Sequence, residues 1–272
     1  MINNIKQFTN SPYYFVTCGT TDKTVKIWLA TQNGSWNLKR TYFGHSQGVY
    51  GLEIINDALI ASGSLDGTIQ IWSSLNGALQ RKIDSNGAYV FMSLKLLSNG
   101  VYLASGLLTG NINIYSIATG ILIATMIGHT GTVTVLSLIT SNLLASAGQD
   151  KTVRIWDPTT YGPIFTLNGH NETIWGLKVI SSDILASASI DNTVKLWNIS
   201  SGTLIKTLAN HSFRLYNTVD LYIQPNILIT GSWDQTIKLW DIDTGQVLRT
   251  VNDNNTLYVG SLAVFDLIPT TS

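Results

Sequence analysis

Charge is scarce in this chain: Asp, Glu, Lys and Arg make up 12% of its 272 residues, acids and bases number 16 each, and no run of Lys or Arg occurs. A binder of nucleic acid or of anionic membranes needs a basic patch, so neither partner is expected. Cysteine is nearly absent. Cys18 stands alone, which rules out an internal disulfide and favours a reducing intracellular setting, the cytoplasm first with the nucleus left open. The opening residues MINNIKQFTN lack the apolar stretch of a signal peptide, and no apolar run is long enough for a membrane-spanning helix. Five Asn-x-Ser/Thr triplets occur, about as many as chance gives in a chain so rich in these residues. Catalytic signatures are missing as well: no Gly-x-x-x-x-Gly-Lys-Ser/Thr, no His-Glu-x-x-His, no Cys-x-x-Cys and no Gly-x-Ser-x-Gly. Neither an enzyme nor a cofactor or metal site is expected, and no amphipathic helix can be read.

What is present is a repeat. Asp22-Lys-Thr-Val-Lys-Ile-Trp28 returns as Asp66-Gly-Thr-Ile-Gln-Ile-Trp72, Asp150-Lys-Thr-Val-Arg-Ile-Trp156, Asp191-Asn-Thr-Val-Lys-Leu-Trp197 and Asp234-Gln-Thr-Ile-Lys-Leu-Trp240. Thr109-Gly-Asn-Ile-Asn-Ile-Tyr115 is a worn copy. The anchors Trp28, Trp72, Tyr115, Trp156, Trp197 and Trp240 lie 44, 43, 41, 41 and 43 positions apart. A period of this length describes one domain over 1–272, an array of four-stranded units, each one blade of a propeller. The runs inside a unit support this: VYGLEII (49–55), TIQIW (68–72) and ALQRKI (78–83) are short and rich in β-branched residues, with turn pairs such as Asn76-Gly77 between them.

With Gly44-His45, Gly128-His129 and Gly169-His170, the variant Asn210-His211, and Trp-Asp at 156–157 and 240–241, the sequence resembles the WD40 family over essentially its whole length. Six heptamers imply an all-β, six-bladed WD40 β-propeller. Closure is expected through the C-terminal run LYVGSLAVF (257–265), which aligns with innermost strands such as VTVLSLI (133–139) and would complete a first blade lacking its own. The alternative is that residues 1–8 supply that strand and the tail opens a seventh blade, leaving the ring incomplete.

The four histidines sit at one place in the repeat, 21 residues before the turn Asp in three blades and 23 in the fourth. Each travels with a hydroxyl, an acid and an indole: His45, Ser62, Asp66, Trp72; His129, Ser146, Asp150, Trp156; His170, Ser187, Asp191, Trp197; His211, Thr230, Asp234, Trp240. Ser, His and Asp are the ingredients of nucleophilic catalysis. The resemblance implies instead a buried hydrogen-bond chain, and the chemistry agrees, since an indole only donates, a hydroxyl does both, an imidazole relays and a carboxylate only accepts. In the third blade those places read Asn86, Ser105, Thr109 and Tyr115; in the first, alignment puts Asp253 at the His place and Cys18 at the hydroxyl. These two blades should be the loosest.

Five positions after each His or its equivalent stand Tyr258, Tyr50, Phe91, Thr134, Trp175 and Tyr216 in blade order. The residue before the turn Asp reads Thr21, Leu65, Leu108, Gln149, Ile190 and Trp233. Resemblance marks the first set as a frequent partner-contact position. Apolar residues at turns expected to face solvent point to a protein or peptide partner held by Tyr50, Phe91, Trp175, Tyr216, Tyr258, Leu65, Leu108, Ile190 and Trp233, with Arg214 as the one base. One arginine is too few for phosphopeptides. The expected function is a monomeric, non-catalytic interaction scaffold; a carbohydrate-binding propeller is the alternative, because Trp and Tyr also stack on sugars.

Overall fold

The structure, a computed structural model, describes residues 2–8, 14–31, 35–84, 90–97, 100–215, 219–221 and 226–252. Its strands form six four-stranded antiparallel blades of the β-propeller type, and no α-helix occurs among the described residues. Each blade is a meander in chain order: the second runs through Val49–Asn56, Leu59–Ser64, Thr68–Ser73 and Leu79–Asp84. The chain divides into two compact units, one carrying the blades up to Ala124 and the other those from Thr125 onward.

Side-chain size explains the layering. Second strands such as Leu59–Ser64 (LIASGS), Leu143–Gly148 (LLASAG) and Ile184–Ser189 (ILASAS) mix Ile and Leu with Ala, Ser and Gly, and are buried along almost their full length. Small residues there let the next blade approach. In the first unit Val16, Val25 and Ile27 pack with Val49, Ile60 and Trp72 of the following blade. In the second unit Ala145, Val153 and Ile155 meet Ile174, Leu185 and Trp197 in the same way. The anchoring ring is therefore, at Trp72, Tyr115, Trp197 and Trp240, the surface a blade offers its predecessor, and burying such a ring stabilises by about 2–3 kcal/mol. Outer strands are exposed on most positions, and some carry several charges, as in LQRKID at Leu79–Asp84.

The first blade corrects one expectation. Its first strand is Ile2–Gln7, paired antiparallel with Tyr14–Gly19 through Ile5 opposite Thr17 and Lys6 opposite Val16. The place assigned to 257–265 is thus held by the N-terminus, and 257–265 itself lies outside the described residues. INNIKQ lacks the apolar alternation of its counterparts, but a charge anchors it: Lys6 Nζ bonds Glu53 Oε2, while Lys95 Nζ reaches Glu53 Oε1 at 3.1 Å. One buried carboxylate on the second blade so ties the first strands of three blades together. Burial acts to raise the Glu53 pKa, but the two lysines outweigh it and hold the acid below its usual range.

The heptamer's turn has its own signature. The residue after the turn Asp, or after Thr109 in the third blade, has positive φ in all six blades, at Lys23, Gly67, Gly110, Lys151, Asn192 and Gln235. Only two are glycine, so the other four hold a conformation that costs L-residues about 1 kcal/mol or more unless local bonds offset it. The turn aspartates supply those bonds.

Candidate functional site

In four blades the hydrogen-bond chain is complete. His170 Nδ1 donates to Asp191 Oδ2 at 2.7 Å, its Nε2 meets Ser187 Oγ at 2.7 Å, and Trp197 Nε1 donates to the same Oγ at 2.8 Å. His45, His129 and His211 repeat this within 2.6–2.9 Å through Ser62, Ser146 and Thr230. One proton arrangement satisfies every atom: indole N–H to hydroxyl, hydroxyl O–H to Nε2, Nδ1–H to carboxylate.

Two further groups complete the acid's shell. Oδ2 also accepts the backbone N–H of the residue after each His (Ser46, Thr130, Asn171, Ser212), and Oδ1 accepts both N–H and Oγ–H of the Thr two residues on. Those threonines, Thr68, Thr152, Thr193 and Thr236, were missed as members of the cluster, although every Asp-x-Thr heptamer displays them. They also close the turn whose next residue has positive φ.

The two atypical blades depart as the sequence suggests, with one correction. In the third, Tyr115 takes a bond from Asn113 Nδ2 at 3.0 Å, and the Ser105 hydroxyl is buried without a partner. In the first, Trp28 Nε1 donates to Thr17 Oγ1 at 2.8 Å, so the hydroxyl is Thr17 and not Cys18. Phe15 lies opposite Trp28 there, as Ile60 lies opposite Trp72, and the connecting turn is one residue longer. Cys18 is instead buried with Sγ on the Tyr50 carbonyl at 3.6 Å, and burial pushes its thiol up to about 12. Asp22 has Lys26 as its partner; Asn86 and Asp253 lie outside the described residues.

The triads have the geometry of a hydrolase but not its access. Ser62, Ser146, Ser187 and Thr230 are 0% exposed, and each hydroxyl is engaged by an indole. No substrate carbonyl can reach them, so these clusters are staples. Among the described residues no three His, Cys, Asp or Glu side chains gather to hold a metal, and no helix is long and apolar enough to cross a membrane.

The staples respond to acid. Burial raises the Asp150 pKa, but bonds from His129 and the nearby N–H groups outweigh it and bring the pKa from 3.8 to about 2; Asp66, Asp191 and Asp234 are lowered on the same balance. Burial lowers His45 and His211 below 6.5, against the pull of their aspartates. Every one of these folded pKa values lies below the unfolded one, so the unfolded chain takes up protons first and stability falls with pH. Thermal melts should decline gradually below pH 6.5 and steeply from about 4 toward 2. A melting temperature flat from pH 7 to 3 would contradict the assignment.

At the same end of the blades lie the positions five after the histidines, of which Thr134 is buried and Tyr50 and Trp175 are half-buried. After His45, His129 and His170 the residue five positions on is the extra residue of a β-bulge: Val49 pairs with Ser64 and Gly51 with Gly63, skipping Tyr50, and Thr134 and Trp175 are skipped likewise. A bulge re-aims a side chain out of the ladder. In the second unit these positions are stitched together. Thr134 Oγ1 bonds the Ile174 carbonyl beside Trp175; Leu215 N–H donates to Ser189 O beside Ile190; Trp233 N–H donates to Arg214 O at 3.0 Å. In the first unit Leu65 N–H reaches Gly48 O at 3.1 Å, which brings Leu65 beside the Tyr50 bulge.

The apolar turn residues are less exposed than expected. Leu108 is 42% exposed, whereas Leu65, Ile190 and Trp233 are half-buried, because their N–H groups are drawn back onto the neighbouring loop. Phe213, unmarked in the sequence reading, is 44% exposed with the Arg214 guanidinium 5.5 Å above its ring. Its place two residues after His211 was the available signal. Tyr216, Tyr258 and the Phe91 side chain lie outside what the structure describes.

The family model of the WD domain, G-beta repeat, matches residues 36–73, 120–157, 161–198 and 202–241, more than half of the sequence. The chain belongs to the WD40 family. Each matched segment closes on a heptamer anchor, Trp72, Trp156, Trp197 or Trp240, and takes in the blade's Ser or Thr and Asp. The four matches take in the four complete WD40 staples, each segment opening with the outer strand that precedes the blade in the chain. Among similar proteins are Pre-mRNA-processing factor 19 of Oryza sativa subsp. japonica, 29% identical over 53% of this chain and 27% of that protein, and Mitochondrial division protein 1 of Schizosaccharomyces pombe, 31% identical over 55% and 19%. A Ribosome biogenesis protein WDR12 homolog of Nematostella vectensis is 29% identical over 54% and 42%. The WD40 chain thus spans less than half the length of each of these relatives.

Proposed function

We propose that this chain is a non-catalytic protein-interaction scaffold that takes a protein or peptide partner at the Asp-turn ends of its blades. One observation carries the reading: Trp175, Ile190, Arg214 and Trp233 are stitched into one neighbourhood, with Trp175 left out of the ladder by its bulge. Phe213 belongs to the same surface. Tyr50, Leu65 and Leu108 are the counterparts in the first unit, and Phe91, Tyr216 and Tyr258 complete the set. Aromatic and apolar groups with one stacked arginine suit a weakly charged peptide whose apolar side chains fill the spaces between them.

The WD40 membership supports a scaffold, and the relatives' names, a pre-mRNA-processing factor and a ribosome biogenesis protein, agree with a nuclear setting better than with a cytoplasmic one. The test is capture of a binder from a peptide array by the purified chain. Trp175→Ala combined with Trp233→Ala should reduce the binding of the selected peptide at least about tenfold, the loss of one or two anchors, with a far-ultraviolet spectrum unchanged. Undiminished capture by the double variant, or binding to a glycan array alone, would overturn the reading.

A further inference from the structure

An outer strand is an open edge, and soluble proteins guard such edges with charge or proline. Five of the six outer strands follow that rule. Trp36–Tyr42 carries Lys39 and Arg40, Leu79–Asp84 carries Arg81 and Lys82, Pro163–Leu167 opens on proline, Thr203–Ala209 carries Lys206 and Val247–Asn252 carries Arg249. The third blade's outer strand, Leu122–Met126, has neither, and it is the terminal strand of its sheet, bonded to Ile112–Ser116. No Asp, Glu, Lys or Arg occurs between Lys95 and Asp150. Arg81 is spent on the turn before the strand, donating to the carbonyls of Ala118 and Thr119, and Arg154 lies past the strand's other end, against Gly128.

The strand is also apolar where it is open. Ile121 is 61% exposed, Leu122 41%, Ile123 44% and Ile127 73%. Such a run of uncharged, β-prone residues accepts another strand, not a charged or helical partner. Its order then selects the partner. ILIATMI reads nearly the same in both directions about Ala124. In an antiparallel pair of two copies, Ile121 would face Ile127, Ile123 would face Thr125 and Ala124 would face its own copy, while Leu122 would lie opposite the backbone of Met126, whose side chain is buried in its own blade. Each pairing is apolar or β-branched, and two-fold symmetry gives both copies the same contacts.

We propose that residues 121–127 form a homodimer interface, in which the outer strand of the third blade pairs edge to edge with that of a second copy. This replaces the monomer expected from the sequence and leaves the partner-binding ends of the blades free. The WD40 staple is lost in this blade, so its outer strand is where the array gives up internal reinforcement and offers an edge instead.

Sedimentation of the purified full chain should show twice the monomer mass, concentration-dependently. Ile123→Lys, which restores the guard found in the other blades, should give a monomer with an unchanged melting temperature. Leu204→Lys, at a residue 45% exposed on the fifth blade's outer strand, should leave the dimer intact. Directly opposed residues in an antiparallel pair have Cα atoms about 4.5–5.5 Å apart, within disulfide range. Ala124→Cys should therefore oxidise to a covalent dimer, and Leu204→Cys should not. A wild-type chain that stays monomeric at every concentration overturns the proposal. So does a dimer that survives Ile123→Lys, or one that Leu204→Lys dissolves equally.

Discussion

Replacing His170 by alanine is expected to lower stability by about 2–4 kcal/mol, the cost of leaving a buried carboxylate, hydroxyl and indole without their common partner. The Asp191 side chain is only 7% exposed, and Ser187 and Trp197 are sealed. Thr193 and the Asn171 N–H still hold the acid, which keeps the loss below that of a fully stranded charge. In a domain of this size the melting temperature should fall by roughly 5–10 °C. Ser105→Ala provides the contrast, because that hydroxyl is already unpartnered and its removal should be neutral within about 0.5 kcal/mol or mildly stabilising. Chemical denaturation of the two variants measures the difference directly. Equal losses would mean that burial alone, without the hydrogen-bond chain, accounts for the staple.

Glu53→Gln should produce the other large effect, about 2–4 kcal/mol. The substitution keeps the shape and removes the charge that faces Lys6 and Lys95, whose side chains are each 28% exposed, so water screens part of the loss. Burial already lowers the Lys6 pKa despite the acid beside it. Without Glu53 the two ammonium groups would face an amide that cannot compensate either. Restoring neutrality with Lys6→Met in the Glu53→Gln background should recover part of the stability, and a double-mutant cycle quantifies the coupling. Strict additivity of the two substitutions would show that the N-terminal strand is held by its backbone ladder alone.

These two sites also mark how far the sequence could be read. Four staples were legible because each needs fixed residue types at fixed offsets, and the heptamers preserve the offsets. Thr17 was not, because one extra residue in the first blade's turn moves its hydroxyl from ten to eleven positions before the tryptophan, where Cys18 intrudes on the count. The strand Ile2–Gln7 was misjudged for a different reason. LYVGSLAVF has the apolar pattern of an inner strand and INNIKQ does not, but pairing is decided by the neighbouring strand and by a distant carboxylate, neither of which is local information. The same holds for Leu65, Ile190 and Trp233: a residue at a turn tip reads as exposed until the bond that draws its backbone inward is known.

The bulge at Tyr50, Thr134 and Trp175 has an evolutionary consequence. A residue outside the ladder contributes no register, so its identity can drift from Tyr to Thr to Trp while the blade around it keeps its alignment. Five positions earlier, a histidine is fixed by two simultaneous bonds, one at each ring nitrogen. Within one short stretch of each blade, variation and constraint fall on separate side chains, and a duplicated blade can acquire a new surface chemistry in a single substitution.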